Sequence, residues 1–486
     1  MRGRIVAKLA HLRERRVESF GSHAHGHALA SPLDEAEVRV LEQQHGVELP
    51  ASYRAFLREV GASGAGPYYG LLPPTRWANA LYGDVAMTDY AARPCPFTPG
   101  VTRTDFDRIA ATLDEPFQGA IAIADQGCAY YATLVTAGAA RGRVMYVSLD
   151  GGAPFFPADI DFLSWYERWL DELVAGFRHF WYGTNMPGTE ATFVAAARDP
   201  DPARRLDALG AMAQLPSLAP DTQAIIALRV RDDDAAVRAQ ALDLVKHRQL
   251  AAAIEVHVRR ALDDTDGAVR MTALQALIAA NLDWRAAARR ATTDADGKVA
   301  SAAIRELEKV KALTEDDLLP LLASPAHQAA QYAARSVGSQ RLFDAALAQL
   351  RADRDDAYNS LLNTLLAQVR MDAVDEPSRE VVLVLLLERI AAATGPEPET
   401  LAIYGLGSLA KRSERALAAL VELLAHREPF FRWEAATALG NLGVTEVIPA
   451  LRAILGDAAM PRSKSRSTAW NVGEAARRAI AKIESA

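Results

Sequence analysis

A histidine-rich run near the N-terminus is the first group of side chains that could do chemistry. His23, His25 and His27 alternate with small residues. Alternate residues share a face only in a strand, where three imidazoles could bind a metal ion. Glycine and serine flank the run, and this composition favours a flexible polar linker instead. We therefore expect neither a metal site nor a bound cofactor here.

Other groups that resemble catalytic residues have simpler structural interpretations. The glycine-rich segment from Gly64 to Gly70 lacks the glycine spacing of a dinucleotide-binding loop. Asp159 and Asp161 precede an amphipathic helix, where they are expected as a cap and a first-turn charge. Cys128 lies in a run of strand-forming residues, which indicates a core thiol. We predict no catalytic residues and expect that the protein is not an enzyme.

Aromatic side chains in and after the glycine-rich loop could recognise a protein. Exposed aromatic residues are frequent interface anchors, because a rigid ring buries a large area. The alternative is that these rings cover a sheet within the fold. The candidate protein-binding aromatics are Tyr68, Tyr69, Trp77 and Tyr82.

A second candidate surface consists of arginines on neighbouring helices in the C-terminal half. Acidic residues are interspersed among them, so that they form either an anion-binding patch or a salt-bridged, solvated surface. The candidate residues in this set are Arg259, Arg260, Arg285 and Arg289.

The composition limits the classes of function. The chain has 486 residues, of which 50% are hydrophobic, with 54 basic and 61 acidic side chains and a net charge of −7. This is globular composition for several domains, and the acidic balance does not favour a nucleic-acid partner. Two cysteines do not form a disulfide framework. With no apolar run long enough for a signal peptide or a membrane span, we expect a cytoplasmic protein.

The N-terminal part combines helices with strands. Helices are predicted over Leu33 to Leu49 and after Pro50, and strands over 120–124, 129–135 and 143–149. An amphipathic helix from Phe162 to Leu173 follows them. Helices, an antiparallel meander and a closing helix predict an α+β domain over residues 31–182, preceded by a partly flexible extension, 1–30.

These pieces resemble the SMI1/KNR4 (SUKH) family. The motif Leu-Pro-x-x-Tyr-x-x-Phe-Leu stands at residues 49–57, and Gly61, Tyr69-Gly70-Leu71 and Phe162-x-x-Trp165 follow in register. The stretch from Trp77 to Pro99 is similar to a long insertion in that pattern. The resemblance implies protein binding without shared catalytic residues, and many bacterial members of the family resemble immunity proteins that block toxins.

After a turn-rich linker, residues 183–189, the sequence repeats. Apolar residues recur at offsets 0, 4, 5 and 8 from positions 204, 237, 269, 299, 329, 358, 401, 431 and 472, with a second apolar helix between copies. Asp234, Asp266, Asp296 and Asp355 stand three residues before a copy, where a helix N-cap belongs. One helical pair cannot bury its own apolar face, so an all-α solenoid is predicted over residues 190–486.

The repeats resemble HEAT-like repeats of the phycobilisome-lyase type. The motif Asp-x-x-Val-Arg-x-x-Ala-Leu stands at 234–242 and 266–274. The resemblance implies that aspartate and arginine pair along the array, with Arg238, Arg270 and Arg432 as the arginines. Alanine replaces the arginine at Ala300 and Ala330, which interrupts the series.

The sequence therefore predicts a two-domain protein-binding molecule. The first hypothesis is an immunity-type protein that neutralises a toxin domain by occlusion, with the α+β domain and the concave face of the solenoid gripping one target. The second is a regulatory or assembly scaffold for cellular proteins. The third is a HEAT-like enzyme or nucleic-acid binder, for which Trp284 beside Asp283 is the nearest candidate and which the charge balance disfavours.

Overall fold

The computed structural model describes residues 1–82, 89–179, 181–323, 336–352, 358–392, 400–461 and 470–485. It divides into two compact units, Met1–His257 and Val258–Ala486. The predicted linker at 183–189 lies within the first unit, so this unit holds the α+β domain together with the first helical repeats.

The α+β domain is built on a three-stranded antiparallel sheet in the order β1-β2-β3, as predicted. The strands are β1 (Ala120–Gly127), β2 (Tyr130–Val135) and β3 (Val144–Ser148). The α-helices among the described residues of this part are α1 (Arg2–Glu14), α2 (Glu35–His45), α3 (Ala51–Glu59), α4 (Asn79–Tyr82), α5 (Arg103–Ala110) and α6 (Phe162–Val174).

An apolar core covers each face of the sheet. Side chains alternate along each strand, so neighbouring strand residues belong to different cores. Ile121, Ile123 and Leu134 pack into one apolar core with α1, α3 and α6. Side chains of the opposite parity pack into a second core with the segment between the helices and the sheet. That segment includes Tyr82 and Phe97, so the stretch that resembled an insertion covers the second face of the sheet; residues 83–88 lie outside the described residues.

The helix boundaries follow from local caps. Asp34 forms a capping box with Glu37 at the start of α2, and Gly46 ends that helix at a φ of +62°. Asp161 caps α6 through the backbone N–H of Ser164 at 2.8 Å, as predicted. Asp159 was expected in the same role, but its side chain is buried and lies 3.2 Å from the guanidinium of Arg168.

The first 30 residues are part of the domain rather than a separate extension. Ile5, Leu9 and Leu12 of α1 are buried in the same core as α6. Lys8 reaches the carboxylate of Asp171 on α6 at 2.5 Å. The sequence interpretation of a partly flexible extension missed this packing, because the charged residues of α1 obscure its narrow apolar stripe.

The described residues of the rest of the chain are all-α and form HEAT-like helical pairs. The helices of the first unit are α7 (Glu190–Ala196), α8 (Pro202–Met212), α9 (Pro220–Arg229) and α10 (Ala235–His247), and the division between the units falls within α11 (Glu255–Arg260). The second unit continues with α12 (Gly267–Ala279), α13 (Arg285–Ala291), α14 (Gly297–Lys309), α15 (Glu315–Leu318), α16 (Gln340–Arg351), α17 (Tyr358–Arg370), α18 (Glu376–Ala392), α19 (Thr400–Leu409), α20 (Glu414–Leu423), α21 (Pro429–Leu442), α22 (Ile448–Ala453) and α23 (Val472–Glu484).

The repeat positions form the buried faces of these helices. Val237, Ala241, Leu242 and Val245 of α10 are fully buried, and the matching residues of α12, α14 and α21 are buried as well. Asp234, Asp266 and Asp296 cap their helices, as predicted. The predicted copy at 329, the cap Asp355 and the break at 395–398 lie outside the described residues.

Candidate protein-binding site

Four aromatic side chains of the α+β domain form an exposed cluster, which we name the aromatic patch. Phe20, Tyr69, Tyr130 and Trp181 are 63%, 37%, 38% and 50% exposed. The ring of Phe20 lies 5.6 Å from that of Tyr69, and the ring of Tyr130 lies 5.5 Å from that of Trp181. Single exposed apolar residues are ordinary, whereas a cluster of large rings is typical of an interaction surface.

Tyr68 lies beneath the aromatic patch, with its ring next to both ring pairs of the patch. Its side chain is buried, and its ring lies 6.4 Å from Phe20 and 6.2 Å from Trp181. Residues from the N-terminal loop, the glycine-rich loop, β2 and the segment after α6 therefore meet at one surface. A buried ring beneath exposed rings limits their motion, which reduces the entropy lost on binding.

The turn between β1 and β2 lies beside the aromatic patch and has an unusual backbone. Gly127 and Tyr130 pair across the hairpin, and Cys128 and Ala129 between them have φ values of +48° and +64°. A two-residue hairpin of this kind prefers glycine or asparagine, so cysteine and alanine cost about 1 kcal/mol or more each. Strained backbone of this kind clusters at functional sites.

Cys128 is exposed at this turn, so the predicted core thiol is wrong. The sequence places Cys128 and Ala129 among strand residues, because neither is the glycine or asparagine that usually marks a hairpin turn. Cys95 is the buried cysteine, and burial raises the pKa of its thiol.

Two glycines allow the loops to approach closely enough to form the aromatic patch. Gly21 has a φ of +80°, and a Cβ atom there would overlap the backbone carbonyl group of Tyr68. A Cβ atom on Gly127, at a φ of +83°, would lie 2.8 Å from the Tyr69 ring. Both positions require glycine for its backbone conformation and for its missing side chain.

The histidine run supports the aromatic patch rather than forming a linker. His27 is buried and His25 half-buried, and both rings lie 6.3 Å from the Trp169 ring. Burial, and then the neighbouring His27, lower the pKa of His25 to about 4. His23 is exposed, and its ring lies 5.9 Å from that of Tyr69. Within the described residues no group of three or more His, Cys, Asp or Glu side chains could hold a metal ion.

The four aromatic residues predicted from the sequence differ in their exposure to solvent. Tyr69 belongs to the aromatic patch and Tyr68 lies beneath it. Trp77 is completely buried, and Tyr82 is buried with its hydroxyl donating to the carbonyl oxygens of Phe117 and Ala120. For Trp77 and Tyr82 the alternative interpretation describes the structure, since both rings pack inside the fold.

The four predicted arginines are on or beside α11 and α13. Arg259 donates to the carbonyl oxygen of Asp283 at 2.9 Å, and Arg289 donates to that of Ala312 at 2.9 Å. The guanidinium of Arg285 lies 5.4 Å from the Trp284 ring, which is itself buried. Arg260 is exposed. Arg289 also faces the carboxylate of Asp317 at 3.6 Å. Partly paired and exposed arginines of this kind resemble the salt-bridged, solvated surface that was the alternative to an anion-binding patch.

Sequence reasoning missed three members of the aromatic patch, Phe20, Tyr130 and Trp181. Phe20 was assigned to the extension, and Trp181 lies at the end of the domain in a loop without periodicity. These three rings come together only through the packing of α1 and the hairpin turn. The sequence shows that aromatic residues are frequent in these loops, but it does not show which rings contact one another.

None of the described helices combines the length and the apolar character that a bilayer crossing requires.

Comparisons with known proteins agree with this architecture. Residues 32–167 match the model of the SMI1 / KNR4 family (SUKH-1), and residues 383–470 match that of HEAT repeats. The chain thus carries an N-terminal SUKH-1 domain fused to HEAT-like repeats, and the resemblances to the SMI1/KNR4 family and to HEAT-like repeats are confirmed. No curated protein matches the sequence significantly.

Several solved structures are similar to this chain at low sequence identity. They include an engineered protein (18% identity, 61% of this chain and 88% of that chain, TM-score 0.35). Kap121p bound to RanGTP is 13% identical over 61% of this chain and 37% of its own, with a TM-score of 0.39. Human deoxyhypusine hydroxylase in complex with glycerol is 21% identical over 61% of this chain and 96% of its own, with a TM-score of 0.22.

Proposed function

We propose that this protein binds a toxin domain and neutralises it by occlusion, with the aromatic patch as the main contact of the SUKH-1 domain. The exposed cluster of Phe20, Tyr69, Tyr130 and Trp181 is the observation that carries the proposal. The SUKH-1 match supports it, because that family resembles immunity proteins. We also propose that the protein acts in the cytoplasm.

The rigid rings of the aromatic patch would supply most of the binding energy. Tryptophan and tyrosine dominate binding energy at interfaces, because they bury much area at a small cost in conformational entropy. A stable complex buries about 1,600 Å² in total, so the patch would form the centre of a larger contact. Occlusion requires no catalytic group in this chain, and we propose none and no cofactor.

The HEAT repeats support a second candidate function, a regulatory or assembly scaffold. Helical repeats bind many kinds of protein, so the repeats alone do not select between the two functions. The two proposals differ in the partner. An immunity protein has one cognate partner that is toxic when alone, whereas a scaffold joins stable cellular proteins.

The test is a neutralisation assay with the full-length chain. The tagged protein is purified from its native cells, and a near-stoichiometric partner is then expressed alone and together with it. We expect the partner to arrest growth alone and to be harmless together with this chain. The double variant Phe20→Ala with Trp181→Ala should lose protection, while Ile160→Ala, which removes an exposed apolar side chain of the same domain outside the patch, should keep it.

Two outcomes would contradict the proposal. A partner that is harmless alone would favour the scaffold. Protection that survives in the folded double variant would show that the toxin is bound elsewhere. Circular dichroism of each variant separates a lost contact from a lost fold.

A further inference from the structure

A basic groove lies in the second unit and shares no residue with the aromatic patch. It has a volume of about 440 Å³ and is lined by the C-terminal ends of α17, α19 and α21, by the residues after α19, and by Arg379 near the start of α18. Four of its lining side chains are cationic, and the described lining includes no carboxylate. We define the basic groove by Arg370, Arg379, Lys411, Arg412, Tyr404 and Asn441.

The cations of the basic groove exceed what local structure requires. Each of the three helix C-termini carries about half a negative charge, which basic side chains commonly offset. Asp372 accepts from Arg379 and Arg412, and Glu376 pairs with Arg379 at 2.8 Å. Lys482 adds a cation at the rim, 2.8 Å from the amide oxygen of Asn441. Within the described residues, neither Asp372 nor Glu376 pairs with Lys411 or Lys482, and these two cations form the positive excess at the basic groove.

Lys411 supplies the clearest part of this excess. Its side chain is exposed, and the described part of the chain offers it no carboxylate. Arg412, the next residue, is exposed as well and shares Asp372 with Arg379. Two adjacent exposed cations at a concave surface favour an anionic ligand, because the low-dielectric walls focus their field.

The basic groove also has an aromatic surface. Tyr404 on α19 is 57% exposed, and the guanidinium of Arg370 lies 5.6 Å from its ring. Leu409 and Leu442 contribute apolar surface to the lining. A ligand that carries both carboxylates and an apolar side chain would satisfy the cations and cover the ring at the same time.

We propose that the basic groove binds an acidic peptide segment of a partner protein. Its volume suits a few side chains, as in other ligand sites. A nucleic acid fits less well, because its phosphate charges repeat at a fixed spacing, and Glu376 already stands 2.8 Å from Arg379 of the groove. A short acidic peptide can instead place its charges only where the cations stand. This proposal is independent of the toxin-binding proposal, since the two rest on different residues in different units.

The test is fluorescence anisotropy of the full-length chain with a short labelled glutamate peptide that contains one leucine, called poly-glutamate below, and with the same peptide in which lysine replaces each glutamate, called poly-lysine, beside it. We expect saturable binding of poly-glutamate that weakens with salt. The double variant Lys411→Glu with Arg412→Glu should weaken binding about tenfold or more, since two attractive charges become repulsive.

The matched control is Lys298→Glu with Arg305→Glu on α14, which changes the net charge equally at exposed positions of the same unit. It should leave the affinity nearly unchanged. Equal losses in both double variants, the absence of poly-glutamate binding, or equal binding of poly-lysine would overturn the proposal. Tighter binding of a single-stranded oligonucleotide, lost in the groove variant, would replace the peptide with a nucleic acid and overturn it as well.

Discussion

Arg270 on α12 forms a two-point ion pair with Asp294, which precedes the next repeat helix, α14. The Nε and Nη2 atoms donate to the two carboxylate oxygens at 2.8 and 2.5 Å. The remaining nitrogen donates to the carbonyl oxygen of Asp264 at 2.7 Å, and Asp294 also accepts from the backbone N–H of Asp296. One arginine thereby ties the loop before its own helix to the loop before the next helix.

Removing this arginine should destabilise the second unit. Both side chains are mostly buried, so Arg270→Ala leaves an unpaired carboxylate, and we expect a loss of about 2 kcal/mol or more in the free energy of unfolding. Arg270→Lys should be intermediate, because lysine keeps the charge without the two-point geometry. Urea unfolding followed by circular dichroism measures both, with the exposed Arg305→Ala as control. A midpoint for Arg270→Ala equal to that of the control would contradict this role.

The repeat motif predicted the helix faces and caps correctly but not the identity of the paired acid. Asp266 caps α12 through the N–H of Val269, as its spacing indicates. The acid that Arg270 binds is Asp294, two residues before the cap Asp296. Arg432 is similar, since it binds Asp457 at 2.7 Å. Periodicity fixes which residues share a helix face, whereas pairing between repeats depends on how far one helical pair is displaced from the next.

The α+β domain shows the same limit at the candidate site. Alternation located the three strands, although β1 continues to Gly127, three residues beyond its predicted end. The Gly46 stop located the end of α2, which spans Glu35–His45 rather than 33–49, and the Asp161 cap located the start of α6. The aromatic patch was only partly predictable, because its residues lie in loops that the packing of α1 and the hairpin bring together. Tyr69 and Trp77 look equivalent in the sequence, yet one is exposed and the other buried.

A methyl group at Gly21 should separate the loops under the aromatic patch. Gly21→Ala adds an atom that would overlap the backbone of Tyr68, and the residue has a φ of +80°. Gly26→Ala is the matched control, since its φ is +52° and its Cβ would meet no atom within 4 Å. We expect about 1 kcal/mol of destabilisation for Gly26→Ala and about 2–3 kcal/mol for Gly21→Ala. Thermal unfolding measures the difference, and equal shifts would show that the loops adapt.

The two cysteines should react at very different rates. Cys128 is exposed at the hairpin turn, whereas Cys95 is buried with a raised thiol pKa, and the thiolate is the reactive form. We expect one fast-reacting thiol in the native chain and two after denaturation, measured with a chromogenic disulfide reagent. Cys128→Ser should abolish the fast phase and Cys95→Ser should keep it. A partner that covers the aromatic patch should slow the labelling of Cys128, and unchanged labelling in the complex would place the contact elsewhere.

His25 should make the α+β domain sensitive to mild acid. Its pKa is lowered to about 4 in the folded chain, first by burial and then by the charge of His27, from an ordinary value of 6.5. The unfolded chain therefore takes up this proton first as the pH falls. The contribution of His25 is complete above pH 6.5 and is lost as the pH falls from there toward 4. Because the ring is partly exposed, we expect the loss to be on the order of 1–2 kcal/mol.

His25→Asn tests this prediction while keeping one contact. The Nδ1 atom of His25 accepts from the backbone N–H of His27 at 3.0 Å, and the asparagine side-chain oxygen can take its place. The urea midpoint of the variant should change less between neutral pH and pH 4 than that of the natural chain. His247→Asn is the matched control, because it makes the same substitution at a largely exposed histidine. If the curves of His25→Asn and the natural chain stay parallel, another group must govern the acid sensitivity, because an unprotonated ring is then not required for folding.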